Sequence, residues 1–166
     1  MSSSKAALVA FALLLAGCGF QLRGVADVPF ESLYLPNATS GIALDLKRNI
    51  QAGTRVKVVD DAKGAEAVMH FTEETRQKEI LSLTGTGRVR EFQLRYRVGF
   101  RVSDNKGGDY VAQNTIILTR DVTFNDTEIL AKEQEEQLLF RDMQSDMVQQ
   151  IMRRLASAKP AAARVQ

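Results

Sequence analysis

Few side chains in this 166-residue chain can do chemistry by themselves. It has one cysteine, Cys18, and one histidine, His70, far apart in sequence. A thiol or an imidazole makes a metal site or a nucleophile–base pair only when further ligands or an orienting group join it. His70 falls in the middle of a strand-like run, where a packed or hydrogen-bonded imidazole is the simpler reading. Nucleophile-elbow and zincin patterns are absent. Gly85-Thr86-Gly87 lacks the lysine, the serine and the following helix of a phosphate-binding loop, so it reads as a hairpin turn. Glu133, Glu135 and Glu136 fall in the early turns of a helix. There they oppose the macrodipole and read as a solvated face. No catalytic residue, metal site or cofactor is expected, and the chain does not read as an enzyme.

Arginine is the exception. Arg88, Arg90, Arg95, Arg97 and Arg101 lie within fourteen residues. A guanidinium presents a planar fork of donors suited to phosphate and carboxylate. Arg88 and Arg90 share parity with Phe92 and Leu94, at the point where a long strand leaves its turn. Acidic neighbours are few there, and an anionic ligand is the favoured reading. Arg95, Arg97 and Arg101 line the opposite face of the same strand. They read as cross-strand partners of Glu73, Glu79 or Asp121, worth a few tenths to about one kcal/mol per pair, or as a partner-facing surface.

Cys18 has a different chemistry. It ends Leu15-Ala16-Gly17-Cys18, after a short basic region with Lys5 and an apolar run over residues 6–15. That layout is a secretory signal peptide, and the run is too short to span a bilayer. Leu-Ala-Gly-Cys resembles the bacterial lipobox. The resemblance implies thiol lipidation of Cys18, removal of residues 1–17 and acylation of the new amine. Two or more acyl chains anchor a protein stably where one does not. Gly19, rather than an aspartate, follows the cysteine, which implies the outer membrane. With Cys18 lipidated no disulfide is possible, so packing alone must hold the fold. A formal net charge of +2 for the whole chain argues against a nucleic-acid partner.

The elements that position these residues follow from periodicity. Residues 18–30 read as a lipidated tether, 31–156 as a single domain and 157–166 as a disordered tail. Ser32-Leu33-Tyr34-Leu35 is a short strand stopped by Pro36. A helix follows, with Ser40 at its N-cap, Leu46 and Ile50 on one face, and Gly53 as its stop. A strand begins at Arg55 and continues to Leu83, with a turn around Lys63-Gly64 able to interrupt it. Over residues 91–102, Phe92, Leu94, Tyr96, Val98, Phe100 and Val102 alternate with polar residues, which defines a strand with one buried face. Glycine-rich turns bracket it. Residues 113–124 form the next strand, with Arg120 interrupting its apolar face. Asn125-Asp126-Thr127 offers N-cap chemistry for a long final helix with the stripe Leu139, Met143, Met147, Ile151 and Leu155. The expected fold is α+β, a four-stranded, mostly antiparallel sheet with two helices on one face, in the order β-α-β-β-β-α.

Cys18-Gly19-Phe20-Gln21-Leu22-Arg23-Gly24 resembles the opening of the LPS-assembly lipoprotein LptE family. Leu33-Tyr34, Leu81-Ser82-Leu83-Thr84, Arg90-Glu91-Phe92-Gln93-Leu94 and Ala131-Lys132 extend the resemblance in the same element order. It implies a lipid-anchored outer-membrane protein whose domain lies on the periplasmic side or within the lumen of the β-barrel LptD. There it would plug the barrel and assist its assembly, in the translocon that inserts lipopolysaccharide into the outer leaflet. It also implies lipopolysaccharide binding near the hairpin tip, where Arg88 and Arg90 are the nearest basic residues, and at Lys132. The alternative is a stand-alone outer-membrane lipoprotein that serves as a scaffold or pilotin for another envelope machine.

Overall fold

In the computed structural model, which describes residues 27–125 and 127–159, the strongest alternation in the sequence becomes the central strand of the fold. Leu94, Tyr96, Val98, Phe100 and Val102 of β4 (Val89–Asp104) are fully buried on one face. Hairpins join β4 antiparallel to β3 (Ala67–Leu83) and β5 (Asp109–Thr123). The buried face of β4 joins one core with Ile42, Leu46 and Ile50 of α1 (Gly41–Gly53) and with α2 (Ile129–Ala156), which contributes Met143, Met147, Val148, Ile151 and Leu155. Both helices therefore cover the same side of the sheet, as expected.

The strand count differs from the expected four. Two short strands, β1 (Ser32–Tyr34) and β2 (Lys57–Val59), complete a five-stranded sheet of order β2-β1-β3-β4-β5. β1 runs parallel to both β2 and β3. The single strand expected from Arg55 onward is two strands on opposite sides of β1. The break is a hydrogen-bonded loop at 60–66: Asp61 Oδ1 accepts the Lys63 N–H at 2.9 Å. The Asn105 side chain donates to the carbonyls of Ala62 (2.9 Å) and Ala65 (2.6 Å). Parallel pairing follows because α1 is the crossover between β1 and β2, and a crossover returns the chain in its starting direction.

Helix ends differ in detail from the sequence reading. Ser40 holds the N-cap position of α1 in extended conformation without a side-chain bond. Thr54 closes the other end, its N–H and Oγ1 both donating to the Ile50 carbonyl at 2.9 and 2.8 Å. Asn125 does not cap α2. It forms a turn ahead of it, its Oδ1 accepting from the Thr127 N–H and hydroxyl, and Glu128 takes the N-cap position.

The ladder between β3 and β4 is irregular at three places. Between Phe71 and Glu73 one extra residue, Thr72, sits in β3 against the Phe100–Gly99 step of β4. A bulge of this kind bends the strand and shifts its alternation. Gly99 makes room for it: a Cβ there would lie 2.6 Å from Thr72 Oγ1 and 3.3 Å from Glu73 Cβ. The single histidine lies just before this bulge, on the face away from the helices, with Nε2 2.9 Å from Ser103 Oγ. Burial, then the nearby Arg101 charge, hold its pKa below the ordinary 6.5.

Gly99→Ala is expected to lower stability by about 1–3 kcal/mol through overpacking. Thr72→Ala in the same chain should recover part of that loss in thermal or denaturant unfolding. Because folding depresses the pKa of His70, the unfolded chain binds more protons as pH falls through 6.5 and below. This group therefore withdraws stability in that window and has no effect above it. The His70→Gln chain should accordingly lose less stability between pH 7 and pH 5 than the parent, and an unchanged acid profile would contradict the assignment.

Candidate functional site

The hairpin joining β3 to β4 closes through a short loop at 84–88. Thr84 donates its N–H to the Arg88 carbonyl at 2.7 Å and Gly87 donates to the Thr84 carbonyl at 2.9 Å. Gly87 carries φ +77°, in the left-handed region that glycine enters at least cost. Arg88 is exposed and fixed through its backbone, its N–H donating to Thr84 Oγ1 at 3.1 Å. One residue inward, the ladder shifts again, and Arg90 has no Cα partner on either neighbouring strand. The parity expected to align Arg88 and Arg90 with Phe92 and Leu94 is interrupted there. The Arg90 carbonyl instead accepts the Phe124 N–H at 2.8 Å, which ties the base of the tip to the exit of β5.

That tie brings the start of α2 to the same end of the sheet. Lys132 Nζ lies 2.8 Å from Glu135 Oε2 and 3.2 Å from Thr123 Oγ1, one residue before Phe124. Phe92 and Phe124 meet edge to face at 5.3 Å between centroids. Above Phe92, at 4.4 Å from its centroid, is the ammonium of Lys78, which pairs with Glu136 of α2 at 2.6 Å. Ile80, Leu81 and Leu83 on the adjoining stretch of β3 are about half-exposed. The fold therefore gathers Arg90, Lys132 and an exposed apolar strip at one end, with Arg88 at its outer margin.

The other arginines sit elsewhere. Arg95 pairs with Glu79 at 3.4 Å, Arg97 with Glu73 at 3.8 Å and Arg101 with Asp109 at 3.9 Å, all on the face away from the helices. Asp121 accepts from Gln93 at 3.0 Å rather than from an arginine. Each arginine pair is partly exposed, so each contributes at most about 1 kcal/mol. Together they make this face a lattice of alternating charge.

Sequence reasoning missed a set of polar ties between α2 and the sheet. Arg120 meets Asp146 at 2.8 Å. Arg76 bonds Gln144 and lies 4.7 Å over the Tyr96 ring. The Tyr96 hydroxyl donates to Glu74 at 2.7 Å, and burial, then the bond to Glu74, push its pKa up. Glu136, expected on a solvated face, is turned to Lys78 and only 24% exposed. The Thr72 bulge hides this set. Met69 and Phe71 share the helix-facing side with Val102 and Phe100, whereas beyond the bulge Glu74, Arg76 and Lys78 take that side.

Among the described residues no group of three or more His, Cys, Asp and Glu could hold a metal ion, and no helix is long and apolar enough to cross a membrane. Cys18, most of the tether and residues 160–166 lie outside the described residues.

Comparison with known proteins places this geometry. The family model LptE, described as lipopolysaccharide-assembly, matches residues 24–155. An LPS-assembly lipoprotein LptE of Yersinia pestis is 31% identical over 153 residues, covering 90% of this chain and 73% of the relative. One of Photorhabdus laumondii is 27% identical over 152 residues, covering 90% and 82%. Among solved structures, a lipoprotein B from Nitrosomonas europaea superposes with a TM-score of 0.70 at 45% identity, covering 81% of this chain and 88% of that one. The rare lipoprotein B from Shewanella oneidensis gives 0.64 at 27% identity, covering 76% and 92%. With the family model spanning most of the chain, and with helices, sheet and hairpin end in the arrangement described, this chain belongs to the LptE family of lipopolysaccharide-assembly lipoproteins, a non-enzymatic family of the bacterial envelope.

Proposed function

We propose that this chain is an outer-membrane lipoprotein, anchored through an acylated Cys18, that plugs the LptD β-barrel and assists its assembly, and that it binds lipopolysaccharide at the hairpin end through Arg88, Arg90 and Lys132. The observation that carries the ligand reading is the convergence of basic residues with half-exposed Ile80, Leu81 and Leu83 at one end of the sheet. A phosphorylated, acylated molecule presents the complementary pair of chemistries: phosphate oxygens for guanidinium and ammonium donors, and hydrocarbon for the apolar strip. The relatives' name, LPS-assembly lipoprotein, supports the same class of ligand.

The plug reading draws on a different face. Arg95, Arg97 and Arg101, with their acidic partners, give the uncovered side of the sheet a polar, near-neutral surface. The lumen of a large outer-membrane barrel is polar as well, and such a face can exchange internal ion pairs for partner pairs at small cost because each is weak to begin with. Two or more acyl chains on Cys18 would hold the domain at the membrane without a spanning helix.

Charge reversal at all three positions (Arg88→Glu, Arg90→Glu, Lys132→Glu) is expected to weaken lipopolysaccharide binding by about tenfold or more while circular dichroism stays that of the parent. Unchanged affinity would refute the ligand assignment. A C-terminally tagged chain drawn from outer membranes in mild detergent should bring a large β-barrel with it in near-equal amount. Recovery alone, or with another envelope machine, would favour the scaffold or pilotin alternative.

A further inference from the structure

The two lysines nearest the hairpin end are not presented as open charges. Lys132 is 18% exposed and engaged by Glu135 and Thr123, and Lys78 is held by Glu136 above the Phe92 ring. Glu135 and Glu136 are neighbours on α2, and Lys132 stands one turn before Glu136. The two pairs therefore both lie between the first turns of α2 and the sheet, one toward β3 and one toward β5. Each ammonium already carries a carboxylate, so an arriving ligand anion competes with Glu135 or Glu136 for it.

We propose that Lys78 is a further anion-binding residue of this site, and that Glu136, with Glu135, is an internal counter-anion that a phosphate group must displace. The inference rests on the lipopolysaccharide reading above and names a residue and a regulation that reading does not contain. Four considerations carry it. Lys78 faces the helix side only because the Thr72 bulge turns β3, and this places its ammonium beside the Phe92–Phe124 pair rather than on the arginine lattice. The exchange is inexpensive, because partly exposed pairs contribute little net stability. A phosphate monoester offers up to two charges and three acceptor oxygens against the single charge of a carboxylate. Finally, Glu135 and Glu136 lie in the half of α2 that holds none of its fully buried residues, where Leu139 and Phe140 alone pack partly against the core. All of its fully packed residues, from Met143 to Leu155, lie further along.

The carboxylates thus set a threshold. A strongly phosphorylated amphiphile displaces them, whereas a neutral lipid has nothing to offer in exchange and leaves Lys78 and Lys132 paired. The site is thereby selective for phosphate over acyl chains alone.

The test uses the full-length lipoprotein in mild detergent and two probes, lipid A carrying both phosphates and the same lipid with its phosphates removed. Glu136→Gln is expected to tighten binding of the phosphorylated probe about two- to fivefold and to leave the dephosphorylated probe unchanged. Glu133→Gln makes the same change in net charge on an exposed position of α2 and should alter neither. Lys78→Gln should weaken binding of the phosphorylated probe and abolish the gain when combined with Glu136→Gln. Equal behaviour of Glu136→Gln and Glu133→Gln would overturn the proposal, as would a gain that survives without Lys78 or an equal shift for both probes. If the triple reversal at Arg88, Arg90 and Lys132 weakens binding while Glu136→Gln has no effect, the displacement idea alone fails. If the triple reversal has no effect either, the ligand reading fails with it.

Discussion

Burial of one face of β4 is the interaction on which the rest of this structure depends. Leu94, Tyr96, Val98, Phe100 and Val102 are all fully buried, and each such side chain contributes roughly 1.5–3 kcal/mol relative to exposure. No described residue offers a disulfide or a metal cluster in its place. That face fixes the side on which α1 and α2 must lie, and α2's Met143, Met147, Ile151 and Leu155 are spaced to meet it. It also sets the register of both neighbouring strands, since slipping either by one residue would turn its apolar set into water.

The core occupies only part of the sheet. β3, β4 and β5 run on beyond it as a long hairpin-based extension, and the first half of α2 follows them without a fully buried residue of its own. Polar ties hold this outer part together: Arg76 to Gln144, Lys78 to Glu136, Arg120 to Asp146, Lys132 to Glu135 and Thr123. Apolar packing has no charge to exchange with an outside partner, whereas partly exposed ion pairs of this kind exchange readily with outside charges. The molecule is thus divided into an end built for stability and an end built for exchange. The basic and exposed apolar residues of the candidate site belong to the second.

Two irregularities in one ladder produce that division. Thr72 reverses which side of β3 faces the helices, so that charged residues rather than apolar ones point toward α2 beyond it. The shift at Arg90 frees that residue from the cross-strand partners that engage Arg95 and Arg97. Gly99, against Thr72, is the concession the partner strand makes to the first of them. Bulges of this kind redirect side chains without ending a strand. Here they set Lys78 on the helix side of the sheet and leave Arg90 outside the cross-strand register.

The sequence by itself determined the class of fold, the central strand, the glycine turns at both of its ends, and the core face of α2. Each is a local pattern: period two over β4, the residues that turns require, and a four-residue apolar spacing on the helix. It also carried the family resemblance, on motifs spread over most of the chain. What it did not determine were relations between distant residues. The separate parallel strands β1 and β2 depend on how a crossover helix and the 60–66 loop, held by Asn105, route the chain. The pairing of Lys78 with Glu136 depends on a bulge that no local pattern announces, because a single extra residue inverts every side chain after it. Period fixes which residues share a face, and only the tertiary register decides which face that is and what stands opposite.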